Sequence, residues 1–301
     1  MNDSPWGEDR IQGAAVTFDD LSYTYAGEVE ALQSVSLQVA AGDFTAIMGA
    51  NGSGKSTLMK LAVGLIEPAK GTICIDELVV TRESFSQVAA QVGYLFQDPN
   101  DQLFCPTVGA DIAYGPENLG LAADEVRARV EWSATTCGVG DLLERPIHAL
   151  SYGQKKRVAL AGVLALGPRV LLLDEPTASL DPMAEAKLMR LLRILNEQGL
   201  TIAMATHDVD LIPLYADRIV LLRRGVVATQ RLLGEGFCSG THLEGCDLRM
   251  PRISYLFEIF QHGSERPLTV GQARKELVRM VGSGQVELRP ALPESRFREA
   301  V

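Results

Sequence analysis

Apolar and polar residues alternate in two stretches near the start of the chain, which is the pattern of half-buried strands. The first stretch runs from Ala14 to Tyr25, and the second runs from Ala31 to Val39 with imperfect alternation. Together they predict an opening antiparallel β layer. The ring of Tyr25 has two interpretations that stay open, because it could stack on a purine or be an ordinary half-buried strand tyrosine.

Four short apolar runs predict the buried strands of a second, α/β sheet, at 44–48, 92–96, 170–173 and 201–205. Two of these runs are followed by apolar residues at helical spacing. The predicted helix faces carry Leu58, Leu61, Ala62 and Leu65 in one case and Leu188, Leu191, Leu192 and Leu195 in the other. Residues 101–166 lack strand-like runs and predict a helical insert.

Composition and charge narrow the class of protein. The chain has 301 residues and a net charge of −10, which argues mildly against nucleic acid as a partner, since phosphate backbones reward clustered Lys and Arg. The N-terminus has no basic start or apolar segment, and the stretch 158–173 is too interrupted to span a bilayer. Five scattered cysteines fit a reducing cytoplasm best. We therefore expect a soluble protein whose membrane role, if any, comes through a partner.

A glycine-rich segment after the first buried run fits the phosphate-binding pattern G-x-x-x-x-G-K-[ST] at every fixed position. Its residues are Gly49, Ala50, Asn51, Gly52, Ser53, Gly54, Lys55, Ser56 and Thr57. The backbone N–H groups of such a loop cradle phosphate oxygens, and the following helix N-terminus adds positive potential. Lys55 would reach the β- and γ-phosphates, and the Ser56 hydroxyl would ligate Mg²⁺. The segment predicts binding of a nucleoside triphosphate.

Polar residues also end the other three buried runs, at the edge where α/β sheets bind ligands. Gln97 follows one run, although alone it could equally belong to a plain polar turn. Asp174 is placed to hold Mg²⁺, and Glu175 is placed to orient or deprotonate a water for in-line attack. His207 ends the last run beside these carboxylates and is a candidate sensor of the γ-phosphate.

Two further segments with candidate residues precede predicted helices. Ser151 and Gly153 could form a second anion site, since free N–H groups and the helix dipole both favour phosphate. The alternative is that Ser151 is simply an N-cap. Asp181, followed by Pro182, is a plausible N-cap of the helix that carries Leu188.

In their order and spacing these segments resemble the ATP-binding subunits of ABC transporters over residues 14–234. The loop at 49–57 is similar to Walker A, Gln97 to the Q-loop and 150–154 to the signature. Residues 170–175 are similar to Walker B, 179–181 to the D-loop and His207 to the switch histidine. The resemblance implies a P-loop NTPase fold of ABC type, with a RecA-like core sheet, an antiparallel β layer and an inserted helical subdomain at about 101–166.

The resemblance also implies a composite site. ATP and Mg²⁺ would be bound by the chain's own loop together with Tyr25, Gln97, Asp174, Glu175 and His207. Among these residues, Gln97 would also be a ligand of the metal. Ser151 and Gly153 of a second subunit would complete the site in a head-to-tail dimer, and Gln154 and Asp181 are further nucleotide-binding positions. Tyr152 departs from the commonest signature, which has glycine there.

Three segments, at 94–104, 114–120 and 151–158, narrow the resemblance to the energy-coupling-factor importers, and within them to the ATPase of cobalt and nickel uptake systems. This implies an ATPase at the cytoplasmic face of the cell membrane, acting as a homodimer or heterodimer. Its partners would be a transmembrane coupling subunit and a substrate-binding membrane subunit. A vitamin or another cargo, or a non-transport ABC ATPase, are the alternatives.

The C-terminal residues predict an extension at 235–285 and a flexible tail at 286–301. One amphipathic helix is marked by Ile253, Leu256, Phe257 and Phe260; another follows a capping box of Thr269 and Gln272, with a face of Ala273, Leu277, Met280 and Val281. The resemblance implies that the extension helps to hold the dimer. Cys238, His242 and Cys246 have metal-like spacing, but three ligands without a fourth argue against a metal site.

Overall fold

The computed structural model of the protein describes residues 11–233, 248–257 and 267–283. Its strands are β1 (Val16–Tyr25), β2 (Val29–Val39), β3 (Phe44–Met48), β4 (Lys70–Ile75), β5 (Leu78–Val79), β6 (Val92–Leu95), β7 (Val170–Asp174), β8 (Thr201–Thr206), β9 (Arg218–Arg223) and β10 (Val226–Leu232). Its α-helices are α1 (Lys55–Ala62), α2 (Phe85–Gln91), α3 (Val108–Asn118), α4 (Ala123–Thr136), α5 (Tyr152–Ala165), α6 (Pro182–Glu197), α7 (Arg252–Leu256) and α8 (Val270–Ser283).

The described strands form two sheets. The four-stranded sheet has the order β2-β1-β4-β5 and is antiparallel, as the alternating pattern predicts. The six-stranded sheet has the order β10-β9-β3-β8-β7-β6 and is parallel except for β10. In the parallel register Met48 pairs with Thr206 and Asp174 pairs with Ala205. The residues that follow these strands therefore emerge at one edge of the sheet.

Consecutive residues of β3 supply the cores on the two faces of the larger sheet. Ile47 packs in a cluster that lies between the two sheets and includes Leu58 of α1. Phe44, Ala46 and Met48 pack in the cluster on the opposite face, with residues of helices α3 to α6. This two-sided burial is the reason that the parallel strands are continuously apolar in sequence.

The segment between β6 and β7 is helical, in agreement with the predicted insert. It contains α3, α4 and α5, which contact one another. Each helix begins in a way that its sequence explains. For example, Thr107 caps α3 with its side chain, and Asp124 and Glu125 lie in the first turn of α4, where they favour the helix dipole.

The face predicted for α1 is wrong at Leu65. The helix ends at Ala62, and Leu65 is 47% exposed. Gly64 adopts a left-handed conformation with φ of 71°, and its N–H donates to Leu61 O while the Leu65 N–H donates to Lys60 O. This glycine C-cap turns the chain away before Leu65 can join the helix face.

The described parts of the C-terminal extension confirm the capping box but only half of the second helix face. Gln272 N donates to Thr269 Oγ1, and Gln272 Oε1 accepts from Thr269 N. Ala273 and Met280 are buried, whereas Leu277 and Val281 are exposed, Val281 by 74%. On a helix, Val281 lies about 80° around the axis from Ala273, so a narrow contact leaves it outside.

Several predictions fall on residues that the structure does not describe: Phe260, the Cys238, His242 and Cys246 set, and the tail at 286–301. Across the described ranges, none of the helices is long and apolar enough to cross a membrane.

Candidate active site

The glycine-rich loop joins the end of β3 to the start of α1, as its sequence context predicts. Gly54 has φ of 103°, and a Cβ there would lie 2.6 Å from Ala31 O. Only glycine fits this backbone conformation and this close approach. Lys55 Nζ donates to Gly49 O at 2.7 Å and to Ala50 O at 3.1 Å, so the side chain folds back over the loop.

A cleft of about 430 Å³ lies over this loop, within the usual range for small-molecule sites. Its lining comprises Tyr25, Val29, Glu30, Ala31, Asn51, Gly52, Ser53, Gly54, Lys55, Ser56, Thr57, Gln97, Glu175 and His207. Ala50 lies on a smaller neighbouring pocket with Arg223 and Arg224. The structure thus brings together candidates from β1, the loop, and the ends of β6, β7 and β8.

Tyr25 stands at the edge of the cleft. Its hydroxyl lies 3.1 Å from Thr57 Oγ1 in the first turn of α1. Its ring packs edge-on against Tyr23, with centroids 4.9 Å apart. These two contacts hold an exposed aromatic ring beside the loop, where a base attached to a bound phosphate chain could lie.

The two carboxylates after β7 have different surroundings. Asp174 is buried; its Oδ2 accepts from Tyr94 OH at 3.3 Å, whereas its Oδ1 has no hydrogen-bond partner among the described residues. Glu175 faces the cleft, with Oε1 3.0 Å from His207 Nδ1 and 3.8 Å from Lys55 Nζ. An unpaired buried carboxylate oxygen is costly unless a cation or donor reaches it, so Asp174 fits a Mg²⁺ ligand.

Burial has the largest effect on the pKa values of Lys55 and Tyr94 around the cleft, and neighbouring charges have a smaller effect. Burial lowers the pKa of Lys55, and the Glu175 and Asp174 carboxylates oppose that shift. Burial also raises the pKa of Tyr94, and the neighbouring Asp174 raises it further. Tyr94 therefore stays protonated and donates to Asp174 over the whole physiological pH range.

Ser151, Gly153, Gln154 and Asp181 do not line the cleft of their own chain. Ser151 caps α5 in a full capping box, with Ser151 Oγ accepting from Gln154 N and Gln154 Oε1 accepting from Ser151 N. Asp181 caps α6, because its Oδ1 accepts from Met183 N and Ala184 N at 2.9 Å. Both N-cap interpretations are thus correct, and both residues lie at exposed helix starts.

Comparison with known proteins agrees with this arrangement. The family described as ABC transporter matches residues 32–178. The energy-coupling factor transporter ATP-binding protein EcfA3 of Clostridium perfringens is 40% identical over 267 residues, which are 86% of this chain and 94% of the relative. The chain belongs to the ATP-binding proteins of ABC transporters.

Two solved structures support the same conclusion for this ABC ATPase. The cbiO1 protein of Clostridium perfringens, described as part of the ABC transporter complex cbiONQ, is 40% identical with a TM-score of 0.69, over 84% of this chain and 100% of that one. A dimeric ATP-binding cassette, MJ0796, bound to ADP and Pi, is 30% identical with a TM-score of 0.67, over 72% of this chain and 98% of that one. The predicted ABC-type P-loop fold and ATPase activity are confirmed.

Two residues near the site of the ABC ATPase lie within the segments that resemble energy-coupling-factor importers, but the sequence assigns neither of them a role at the site. Tyr94 lies within the apolar run of β6, and its hydroxyl reaches Asp174 only because β6 pairs with β7. Lys156 lies in α5 and donates to the backbone after β7.

Tyr152, the residue that departs from the commonest signature, donates its hydroxyl hydrogen to Gln97 O at 3.3 Å. This bond connects the signature to the Q-loop.

Proposed function

We propose that this ABC ATPase powers uptake of cobalt or nickel ions as the ATP-hydrolysing subunit of an energy-coupling-factor importer. The observation that carries the transport mechanism is the divided site: the cleft holds the loop, Glu175 and His207, while Ser151 lies outside it at the exposed start of α5. A second subunit would therefore have to bring its own Ser151 to the cleft. The relative EcfA3, 40% identical, supports the energy-coupling-factor assignment.

Each group around the cleft has a proposed role that its position favours. The loop N–H groups and Lys55 bind the phosphates of ATP, and Tyr25 stacks on the adenine. Ser56, Gln97 and Asp174 would hold Mg²⁺, which would neutralise the charge that develops on the phosphates. Glu175 takes a proton from the attacking water, and His207, 3.0 Å from Glu175, orients that carboxylate and contacts the γ-phosphate.

The dimer is proposed to be head-to-tail, so that Ser151, Gly153 and Gln154 of one subunit, together with its Asp181 loop, cover the ATP held by the other. ATP then lies between the subunits, and hydrolysis lets them part. We assign ATP binding and hydrolysis to residues 14–234, and we propose that the extension at 235–285 stabilises the dimer. The exposed Leu277 and Val281 of α8 are compatible with such a contact.

The proposed contact for the membrane coupling subunit is an exposed aromatic pair on the helical insert. Phe104 and Tyr114 meet edge-on with ring centroids 4.7 Å apart, and they are 65% and 46% exposed. Phe104 follows the Q-loop closely in sequence, and its N–H is fixed by Asp111 Oδ2. Exposed aromatic residues suit a partner helix, and this position would connect that helix to Gln97.

The experiment that tests the divided site is size-exclusion chromatography with light scattering on the Glu175→Gln protein, with and without Mg-ATP. We expect ATP to convert monomer to dimer or to stabilise an existing dimer, because hydrolysis no longer separates the subunits. The matched control is Glu175→Gln combined with Lys55→Ala, which should not respond to ATP. A protein that binds ATP but stays monomeric would contradict the homodimeric mechanism and point to a different second subunit.

The cargo is tested separately, by uptake of radioactive cobalt and nickel into cells that express the protein with its membrane partners. Uptake of either metal that is lost in the Glu175→Gln variant supports the proposal. Uptake of a labelled vitamin instead of the metals would replace this cargo and leave the ATPase mechanism intact.

A further inference from the structure

Lys156 is a buried lysine whose ammonium group contacts the turn that carries Glu175. The residue is 2% exposed, and its side chain reaches from α5 to the segment after β7. Its Nζ donates to Glu175 O at 2.9 Å and to Pro176 O at 3.0 Å. Both bonds are to backbone carbonyls of consecutive residues, so the ammonium group holds the turn itself.

Simple packing does not account for a lysine at this position. Burying an ammonium group is unfavourable unless hydrogen bonds and nearby negative charge compensate, and a methionine would fill a similar volume without that cost. The Asp174 and Glu175 carboxylates provide negative charge, and the two carbonyls provide acceptors. What the lysine adds over an apolar residue is therefore a defined arrangement of the Glu175 turn.

That turn needs support because its backbone is strained. Glu175 has φ of 46°, a left-handed conformation that non-glycine residues adopt rarely and at a cost in energy. Its N–H donates to Ala205 O of β8 at 3.0 Å, and its carbonyl accepts from Lys156. The residue is thus fixed from both sides, by β8 and by α5, while its carboxylate faces His207 in the cleft.

We propose that Lys156 is a positioning residue for ATP hydrolysis: by fastening the carbonyls of Glu175 and Pro176 to α5, it keeps the Glu175 carboxylate in its reactive position. This inference rests on the proposed role of Glu175 as the hydrolytic base. The same helix begins at Tyr152, next to Ser151, so the bond also connects the signature of a subunit to the base of its own site. Lys156 does not line the cleft, and its two hydrogen bonds are to the carbonyls of the turn.

The test compares three variants of the full chain by kcat, KM and ATP affinity, with circular dichroism as a check on folding. Lys156→Met keeps the length of the side chain and loses both bonds, and Lys156→Gln keeps an amide donor. Lys155→Met is the matched control, because Lys155 is the adjacent lysine and donates to Asn100 Oδ1, away from Glu175.

We expect Lys156→Met to lower kcat by about 10- to 100-fold while the ATP affinity changes by less than about threefold, since a small displacement of a catalytic group costs rate rather than binding. Lys156→Gln should recover part of the loss, and Lys155→Met should retain kcat within about threefold. A folded Lys156→Met protein with unchanged kcat overturns the inference. If Lys156→Met does not fold, Lys156→Gln decides, because a wild-type KM with wild-type kcat in a protein of reduced stability assigns Lys156 a purely structural role.

A double-mutant cycle with Glu175→Gln separates this inference from the proposed function. If Lys156 acts through Glu175, Lys156→Met should lower the residual hydrolysis of Glu175→Gln by less than about threefold. Wild-type hydrolysis by Glu175→Gln would refute the proposed role of Glu175 itself. Loss of hydrolysis in Glu175→Gln with full activity in Lys156→Met would refute only the role of Lys156.

Discussion

The proposed stacking of Tyr25 on the nucleotide base leads to a prediction in which two substitutions must differ. Tyr25 is 39% exposed at the cleft edge and is held by Tyr23 and by Thr57 Oγ1. Stacking of a base on an aromatic ring contributes about 1–3 kcal/mol by alanine substitution. Tyr25→Ala should therefore weaken ATP binding by about 5- to 150-fold. Tyr25→Phe keeps the ring and loses only the contact with Thr57 Oγ1, which the protein makes without ATP, so its ATP affinity should fall much less than that of Tyr25→Ala.

The assay is isothermal titration with two ligands, ATP and inorganic tripolyphosphate. Tripolyphosphate binds the loop but has no base, so Tyr25→Ala should leave its affinity within about twofold of the wild-type value, as expected for a residue that contacts only the base. Tyr23→Phe serves as the control, since it removes a hydroxyl group and keeps the ring that supports Tyr25. An equal loss for both ligands would mean that Tyr25 supports the phosphate loop through Thr57. Unchanged ATP affinity in Tyr25→Ala would refute the stacking role.

Three other substitutions or labels test separate parts of the structure. Gly54→Ala should abolish ATP binding in a titration, because Gly54 has a left-handed backbone conformation and the added Cβ would lie 2.6 Å from Ala31 O. Gly52→Ala should lose less affinity, because no atom lies within 4 Å of the added Cβ. Asp181→Ala should lower the free energy of unfolding in urea by about 0.5–2 kcal/mol, and Asp181→Asn should recover most of it. Burial raises the pKa of the Cys137 thiol to about 12, so at pH 8 Cys137 should resist iodoacetamide until urea unfolds the protein, as read by peptide mass spectrometry.

The location of the site could be predicted from sequence because its parts lie at the ends of short, recognisable runs. A buried parallel strand is continuously apolar, so the first polar residue after it marks the carboxyl edge of the sheet. Gln97, Glu175 and His207 were found in this way, and the structure places all three on one cleft. The N-cap roles of Ser151 and Asp181 follow from equally local chemistry. The catalytic roles of these residues remain proposals.

Features that depend on partners distant in sequence could not be predicted in the same way. The hairpin of β9 and β10 differs from such features because its sequence is locally informative: an apolar run, 219–222, is followed by a turn in which Arg224 and Gly225 both have positive φ. Such a two-residue turn favours glycine at its second position. Lys156 has no comparable signal, because its acceptors lie 19 and 20 residues away and only the packing of α5 on the sheet brings them together.

Periodicity also fails where a helix ends or packs narrowly. Leu65 continues the spacing of α1, but the left-handed Gly64 ends the helix before it. Val281 continues the spacing of α8, but within the described residues the helix buries only the narrow face that carries Ala273 and Met280. A hydrophobic repeat therefore limits which face of a helix can be buried. The end of the helix and the width of the neighbouring surface decide how many residues of that face are buried.

The proposed divided site and the position of α5 would together restrict how two subunits of a dimer influence each other. The middle and the end of α5, from Val158 to Ala165, are almost entirely buried in the core, so we expect the helix to move as one rigid unit. Its first residues, with the Ser151 cap, are exposed, and Lys156 joins the same helix to the Glu175 turn. If Ser151 binds the ATP held by the second subunit, that contact acts on α5 of the first subunit. The same helix holds the Glu175 turn of the first subunit through Lys156. Communication between the two sites of a dimer then needs no separate pathway, because one helix belongs to both.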